Sequence, residues 1–406
     1  MDDVPPDWRG VSLGAAATWY SGGTPRTTSP EYWGGTIPWI SAARLHDFHV
    51  YESDRRVTEL GAASGTRLVP EGTVLFVVRG MSLKSEFKIG ITRRVVAFGQ
   101  DCKALIPRPN IDGLFLAYAI KAQSAQVLDM VDEAGHGTGR LVTDRLQQLT
   151  VGVPPPTEQK AIAEVLGALD DKIEVNSRLV ALLRDLARAQ LLHAADLTNR
   201  FVVGDVADVR KGLSYTGAGL SDAGMPMVNL ANARPFGWLK RSGFKHYTGP
   251  YKQRHVAPKG ALFVSGVDLT WKLEIIGWPM LLPDDVEPSL FSQDMFLFDF
   301  RVDRQWLRLP LWAHLYSAGA RAWIEGMAYG TTVARVPSEA LTRLEFLAPP
   351  AHHPALSLAA DLLRRAWAAE RESAALTQLR DTLLPPLLSG KLRVRNAEEL
   401  VAQVGT

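Results

Sequence analysis

The sequence predicts an α+β protein in which two pseudo-repeated, strand-rich globular units are separated by two long antiparallel helices of coiled-coil type. Three observations lead there. The second half of the chain answers the first at an offset of about 190 residues. Each half joins a stretch rich in Gly, Pro and Trp to a long stretch with an apolar stripe. Finally, 46% hydrophobic and 22% charged residues in a chain of 406 is enough to build sizeable cores.

The matches between the halves keep their order. Leu13-Gly14 and Gly22 are answered by Val203-Gly204 and Gly212, Ile37-Pro38-Trp39-Ile40 by Met225-Pro226-Met227-Val228, and Val69-Pro70-Glu71-Gly72 by Ala257-Pro258-Lys259-Gly260. Gly137-Thr138 ahead of Val153-Pro154-Pro155-Pro156 is answered by Gly330-Thr331 ahead of Ala348-Pro349-Pro350, and Leu183-Arg184-Asp185 by Leu379-Arg380-Asp381. So ordered a series is hard to reach by chance. It divides the chain into a globular unit (1–153), a helical segment (154–199), a second globular unit (200–347) and a second helical segment with the tail (348–406).

In the first globular unit, short apolar runs such as Val74-Leu75-Phe76-Val77-Val78 between turn signals read as strands, with one helix expected over Leu114 to Asp129. The first rod opens after Pro154-Pro155-Pro156 with Thr157 as N-cap. Its seam runs Ile162, Leu166, Leu169, Ile173, Asn176, Val180, Leu183, Ala187, Gln190, and no proline interrupts it until past Leu192. Some 36 residues at 1.5 Å each make a rod of roughly 54 Å. The second unit repeats the first, its helix falling around Trp306 to Ile324. The second rod, about Ala355 to Leu384, carries Leu356, Ala359, Leu363, Ala366, Leu376, Leu379 and Leu383 and is expected to end at Pro385-Pro386. Two apolar stripes satisfy each other, so Ile162, Leu166, Leu169, Ile173, Leu183 and Leu363 are expected between antiparallel rods with the units at opposite ends. Asn176 either fixes register or faces water at a helix edge; the pattern leaves both open.

Composition removes several functional classes. A lone Cys102 excludes an internal disulfide and CxxC zinc sites and points to a reducing cytoplasm. The start, Met1-Asp2-Asp3-Val4-Pro5-Pro6, is acidic, unlike a signal peptide, and apolar runs such as Leu114 to Ile120 fall far short of the roughly 20 residues a membrane span needs. No metal or cofactor site is expected in this chain. Gly135-His136-Gly137-Thr138-Gly139-Arg140 lacks the last glycine of a dinucleotide loop, Ser389-Gly390-Lys391-Leu392 lacks the P-loop hydroxyl, and His352-His353 has no further ligand at metal spacing. Gly212-Leu213-Ser214-Tyr215-Thr216-Gly217 misses the nucleophile elbow by one residue. The chain is therefore read as non-catalytic.

Local positive charge points instead to nucleic acid. From Ala223 to Val267 there is no Asp or Glu, while Lys240, Arg241, Lys245, Lys252 and Arg254 alternate with aromatic residues. Such cations neutralise phosphates and release counterions. Arg79, Lys84 and Lys88 form a milder version in the first half. Small, polar and basic loops at matching places in the repeat complete the candidate DNA-binding set: Thr24, Arg26, Thr27, Ser41, Arg44, Thr138 and Arg140 in the first unit, and Lys211, Asn229, Asn232, Arg234, Thr331 and Arg335 in the second. Trp33 and Trp39 read as core.

Several motifs give the chain a family likeness. Ser21-Gly22-Gly23-Thr24-Pro25, Glu31-Tyr32-Trp33-Gly34-Gly35-Thr36-Ile37-Pro38-Trp39-Ile40, Pro155-Pro156-Thr157-Glu158-Gln159-Lys160-Ala161-Ile162-Ala163, Leu169-Asp170-Asp171-Lys172-Ile173 and Leu387-Leu388-Ser389-Gly390-Lys391-Leu392 resemble the specificity subunit of type I restriction-modification systems. The resemblance implies two target-recognition domains, each reading half of a split sequence in double-stranded DNA. It also implies two helices that act as a ruler and dock methyltransferase subunits, two of them, with restriction subunits joining through the complex. S-adenosylmethionine is then expected in the partners, and Glu158, Gln159 and Lys160 are the candidate docking residues. The second rod opens on Ala351-His352-His353-Pro354 without the Glu-Gln pair, a departure that bears on how it docks a partner. An alternative stays open: a non-catalytic adaptor of a related anti-phage defence complex, using the rods chiefly as a protein scaffold.

Overall fold

A computed structural model of the chain describes residues 5–134, 138–270 and 272–404. It forms two compact units, Met1–Glu174 with Ser373–Thr406, and Val175–Glu372. Each unit takes its globular part from one stretch of chain and its helical part from both rods, because Pro156–His193 and Pro354–Leu388 each pass from one unit into the other.

The repeat read from the sequence is a repeat of topology. In the first unit a sheet orders Ala17–Ser21, Cys102–Pro107, Val74–Val77, Ile89–Thr92 and His49–Val50; in the second, Ala207–Lys211, Met295–Phe300, Leu262–Ser265 and Pro279–Leu281 follow the same sequence of pairings. A second sheet in each unit holds one parallel pair, Trp33–Ile40 with Val96–Phe98 and Met225–Val228 with Ser289–Phe291. Two of the matched glycine positions now have a cause. A Cβ on Gly22 would stand 2.3 Å from the Phe98 carbonyl oxygen, and one on Gly212 2.0 Å from that of Phe291, so the chain passes too close for any side chain. Gly72 and Gly260 close turns at φ of +79° and +71°, the left-handed region that favours glycine.

The long apolar runs lie where the globular part meets the rods of its own unit. Phe76, Leu105, Phe115 and Tyr118 share the first core with Ile162, Leu166 and Leu169 from the first rod and Leu383 and Leu387 from the second, while Ile173 packs at its margin. In the second core, Phe298, Leu311 and Trp312 meet Ala187 and Leu191 of the first rod and Ala359 and Leu363 of the second, with Leu183 at the margin. Within each unit the rods run antiparallel: in the first, Glu158 faces Arg393 just past the end of the second rod and Asp170 faces Arg380; in the second, Asn176 faces Glu372 while Val180 packs with Ala366 and Ala369. Asn176 is buried and its amide donates to Glu372 of the second rod over 2.8 Å, so it does not face water at a helix edge.

Two boundary expectations are corrected. Pro385-Pro386 do not end the second rod, which continues to Leu388 with both prolines inside it. The missing N–H groups fall in the last turns, and burial of Leu383, Leu384, Leu387 and Leu388 against the first core offsets them. The expected single helix over Leu114 to Asp129 is two, Gly113–Ala122 and Ser124–Leu128. Cys102 is buried, and burial together with Asp101 pushes its thiol up to about 12, so it stays protonated. No helix among the described residues is long and apolar enough to cross a membrane.

Candidate nucleic-acid interface

The candidate cations fall into two groups once the fold surrounds them. In the second unit Lys211, Arg234, Lys240, Lys245, Lys252 and Arg254 are exposed, as are Thr331 and Arg335. Lys245 donates to the Tyr215 hydroxyl at 3.1 Å. Around the buried His255 imidazole three cations converge: burial first, then Arg254, Lys252 and Arg210, hold it below its ordinary 6.5. The convergence of Arg254, Lys252 and Arg210 on one side chain marks a concentration of positive charge, which a polyanion would relieve.

Arg241 stands apart from this group. Its guanidinium makes paired bonds of 3.0 and 2.9 Å to Asp285 and reaches Glu370 of the second rod at 3.4 Å. Glu370 also accepts from the Trp238 indole, and Arg184 of the first rod lies over that ring at 3.9 Å. Arg241 is thus corrected from a phosphate contact to an anchor that ties its domain to the rods. The acid-free run misled here because the opposing carboxylates, Asp285 and Glu370, come from distant parts of the chain.

Asn229 and Asn232 are corrected too. Both are buried, in a capping box in which the Asn232 side chain accepts from the Asn229 backbone at 2.9 Å. Asn229 donates to the Met227 and Gly243 carbonyls, and Asn232 to that of Lys240 at 2.8 Å. With their amides occupied they shape the loop that carries Arg234 and Lys240, and neither presents a free edge to a base.

In the first unit Arg26, Thr27, Arg44, Arg79, Lys84 and Arg140 are exposed, while Thr24, Ser41, Lys88 and Thr138 are half-buried. Arg44 is held by Asp54 at 2.8 Å, and the Lys88 ammonium lies 3.2 Å from the His46 imidazole. Arg79 and Arg140 are direct cross-strand partners, and neither has a carboxylate partner among the described residues. Gly135 to Gly137 of the same loop lie outside the described residues. Trp33 and Trp39 pack edge to face 5.4 Å apart under Arg55.

The Glu158-Gln159-Lys160 set divides in the same way. Gln159 is buried: its carbonyl accepts from Asp112 N at 2.8 Å and its amide donates to the Pro154 and Asn110 carbonyls at 2.9 and 3.0 Å. It closes the start of the rod against its own domain and is corrected from docking residue to internal lock. Glu158 accepts from the Trp8 indole and from Arg393, whereas Lys160 remains exposed and faces Glu164.

The residues that sequence reasoning passed over are the anchors between domain and rods. In the first unit, buried Asp170 accepts from the Tyr118 hydroxyl at 2.6 Å and from Arg380 of the second rod. In the second, Arg184 donates to the Gly237 carbonyl and to Tyr316, whose own hydroxyl donates to Gly237 at 2.6 Å. Arg184 and Arg380 are the arginines of the repeated Leu-Arg-Asp motif, so the signal was present in the sequence. Among the described residues no three His, Cys, Asp or Glu are grouped to hold a metal ion.

Comparisons with known proteins agree with this architecture. The family described as "Type I restriction modification DNA specificity domain" matches residues 5–184. The specificity subunit of the type I restriction enzyme EcoR124I/EcoR124II from Escherichia coli is 30% identical over 166 residues, 40% of this chain and 41% of that protein. The MjaIX specificity subunit of Methanocaldococcus jannaschii is 28% identical over 191 residues, 45% of this chain and 43% of that one. The matched segments thus span less than half the length of these curated relatives. The crystal structure of a type I restriction-modification S subunit from M. genitalium shares the fold, with a TM-score of 0.58 at 14% identity over 96% of this chain and 97% of that one. Residues 5–184 thus resemble the DNA specificity domain of type I restriction-modification systems, and the chain as a whole shares the fold of a solved S subunit.

Proposed function

We propose that this chain is a DNA-reading subunit without catalysis of its own, which delivers methyltransferase subunits, and through them restriction subunits, to a bipartite target. The observation that carries the reading is the duplication itself: two domains of one topology, each with exposed arginines and lysines on equivalent loops and each anchored to the rods by polar contacts, buried in the first and half-buried in the second. Two such domains suit a target of two half-sites better than a single continuous one. S-adenosylmethionine and the bond-making chemistry belong, in this reading, to the partners.

The docking face shifts from the rod's first turn to its middle. Val175, Leu179, Leu182 and Leu186 recur at spacings of four, three and four, and are 57%, 41%, 68% and 46% exposed. So long an apolar stripe on a helix surface is costly in water and suits an apolar helix of a partner. The test combines the purified chain with methyltransferase subunit, DNA and labelled S-adenosylmethionine. Methyl transfer is expected only with both proteins present, at two positions flanking a spacer, and Leu182→Asp is expected to weaken assembly at least tenfold. Methylation by the chain alone, or a target without a spacer, overturns the proposal.

A further inference from the structure

The two domains hold one feature in common that their charge does not explain. In the first unit, Arg79–Gly80 pairs antiparallel with Thr138–Leu141, with Arg79 opposite Arg140, and Leu141 N donates to the Val78 carbonyl at 2.9 Å. In the second, Val267–Asp268 pairs with Ala334–Arg335, with Val267 opposite Arg335, and Val336 N donates to the Gly266 carbonyl at 3.0 Å. The register is identical, so Arg140 and Arg335 occupy one position of the repeat. Directly after the first strand each ladder exposes a large aliphatic side chain, Met81 in one and Leu269 in the other, and both are 62% exposed.

Neither side chain sits on a loose tip. A Cβ on Gly139 would stand 2.8 Å from Leu83 Cβ, so the ladder packs closely on the Met81–Lys84 turn, whose Leu83 is buried with Phe87 beneath. In the second unit the buried Asp268 carboxylate pins the turn: one oxygen accepts from the backbone and hydroxyl of Thr270 at 2.8 and 2.7 Å, the other from Ile275 N at 3.1 Å. Exposed arginines and lysines flank both, Arg79, Arg140 and Lys84 in the first and Arg335 and Lys272 in the second, with exposed carboxylates also present, Asp132 opposite Arg140 and Glu86 in the first and Glu274 in the second.

An exposed aliphatic group held rigidly on a two-stranded ladder, beside an exposed arginine at the same register position in both domains, suits a ligand that is anionic outside and apolar at one point within. The major groove of DNA is such a surface. It admits a two-stranded ribbon, its walls are phosphates, and its one apolar group is the 5-methyl of thymine. We infer that Met81 and Leu269 are specificity-determining residues, each packing on a thymine 5-methyl group in one half-site while Arg140 and Arg335 fix the ladder beside it. This rests on the DNA-reading function proposed above and adds the base it recognises.

The experiment uses the full chain with its methyltransferase subunit, on the target defined by its methylation pattern, with each thymine replaced singly by uracil so that only the methyl group is lost. Wild type is expected to bind roughly fourfold more weakly for one uracil in each half-site, the effect of one buried methyl-sized group. Met81→Ala should abolish that sensitivity in the first half-site and keep it in the second, and Leu269→Ala should do the reverse. Both side chains are on the surface, so the variants are expected to melt as wild type does. Indifference to uracil throughout a site that is still bound, or retained sensitivity in both variants, overturns this inference alone. A duplex kinked at these residues without uracil sensitivity assigns them to minor-groove insertion and overturns it equally. Absence of any bipartite binding by wild type overturns the proposed function along with it.

Discussion

Asp170 shows how much one side chain can decide. It is buried, and its two oxygens are taken by Tyr118 of the globular part and Arg380 of the second rod. Removal of one partner of a buried ion pair strands the other, so Arg380→Ala is expected to cost about 3–5 kcal/mol, read by denaturant unfolding. Tyr118→Phe, which leaves the ion pair in place, should cost about 1.5–3 kcal/mol. Glu370 gives a pH dependence. Burial pushes its carboxyl above the ordinary 4.5, against the pull of Trp238 and Arg241. A raised value means that the folded state holds the proton more tightly. The stability gained is therefore complete below 4.5 and is lost as pH rises through the raised value. Glu370→Gln removes this loss, so melting temperatures of variant and wild type compared across that window should move in the variant's favour as pH rises. An unchanged difference would show that Glu370 titrates alike in folded and unfolded chains.

Among the elements, the rods contribute differently along their lengths. Leu169 is buried in the first core, and truncation to Ala is expected to cost about 2–5 kcal/mol. A near-zero change in melting would mean that the rod stands apart from its domain. At the rod's start, Gln159→Ala should lose about 1–3 kcal/mol, because three backbone groups lose their buried partner, whereas Lys160→Ala on the exposed face should lose little. The asymmetry between the rods is chemical. The positions on the second rod that answer Val175, Leu179, Leu182 and Leu186 are Arg371, Ala375, Gln378 and Thr382, with no large apolar group among them. At these matched positions the leucine stripe belongs to the first rod and not to the second.

For the whole molecule the predictions concern the target. Under the proposed DNA-reading function, the two domains are predicted to read half-sites centred about one turn of duplex apart, 10–10.5 bp. Insertion of four residues near Asn176, about one helical turn, should widen the preferred spacer and leave both half-sites unaltered. Methylation of a library of spacer lengths reads this out, and an unaltered optimum would remove the ruler role from the rods. Replacement of residues 8–153 by the matching domain of a relative should change one half-site only.

The sequence by itself determined the duplication, the two rods and their antiparallel seam, because periodic apolar spacing and ordered repeats are local patterns that any fold must bury. Ile162, Leu166 and Leu363 were legible as buried positions for that reason. The rest depended on neighbours far away in the chain. Asp285 and Glu370 neutralise Arg241, the backbone of the 227–243 loop absorbs Asn229 and Asn232, and Pro154 with Asn110 absorbs Gln159. A run without acids therefore states only how the chain is charged, and a polar residue in a loop only what it is able to bond. Whether Arg241 faces solvent or a carboxylate from another segment is settled by the fold, since electrostatic and hydrogen-bonding partners are chosen by distance in space and leave no periodic trace along the chain. The prolines at 385 and 386 obey the same logic: local propensity ends a helix there, and four leucines buried against a distant core carry it on.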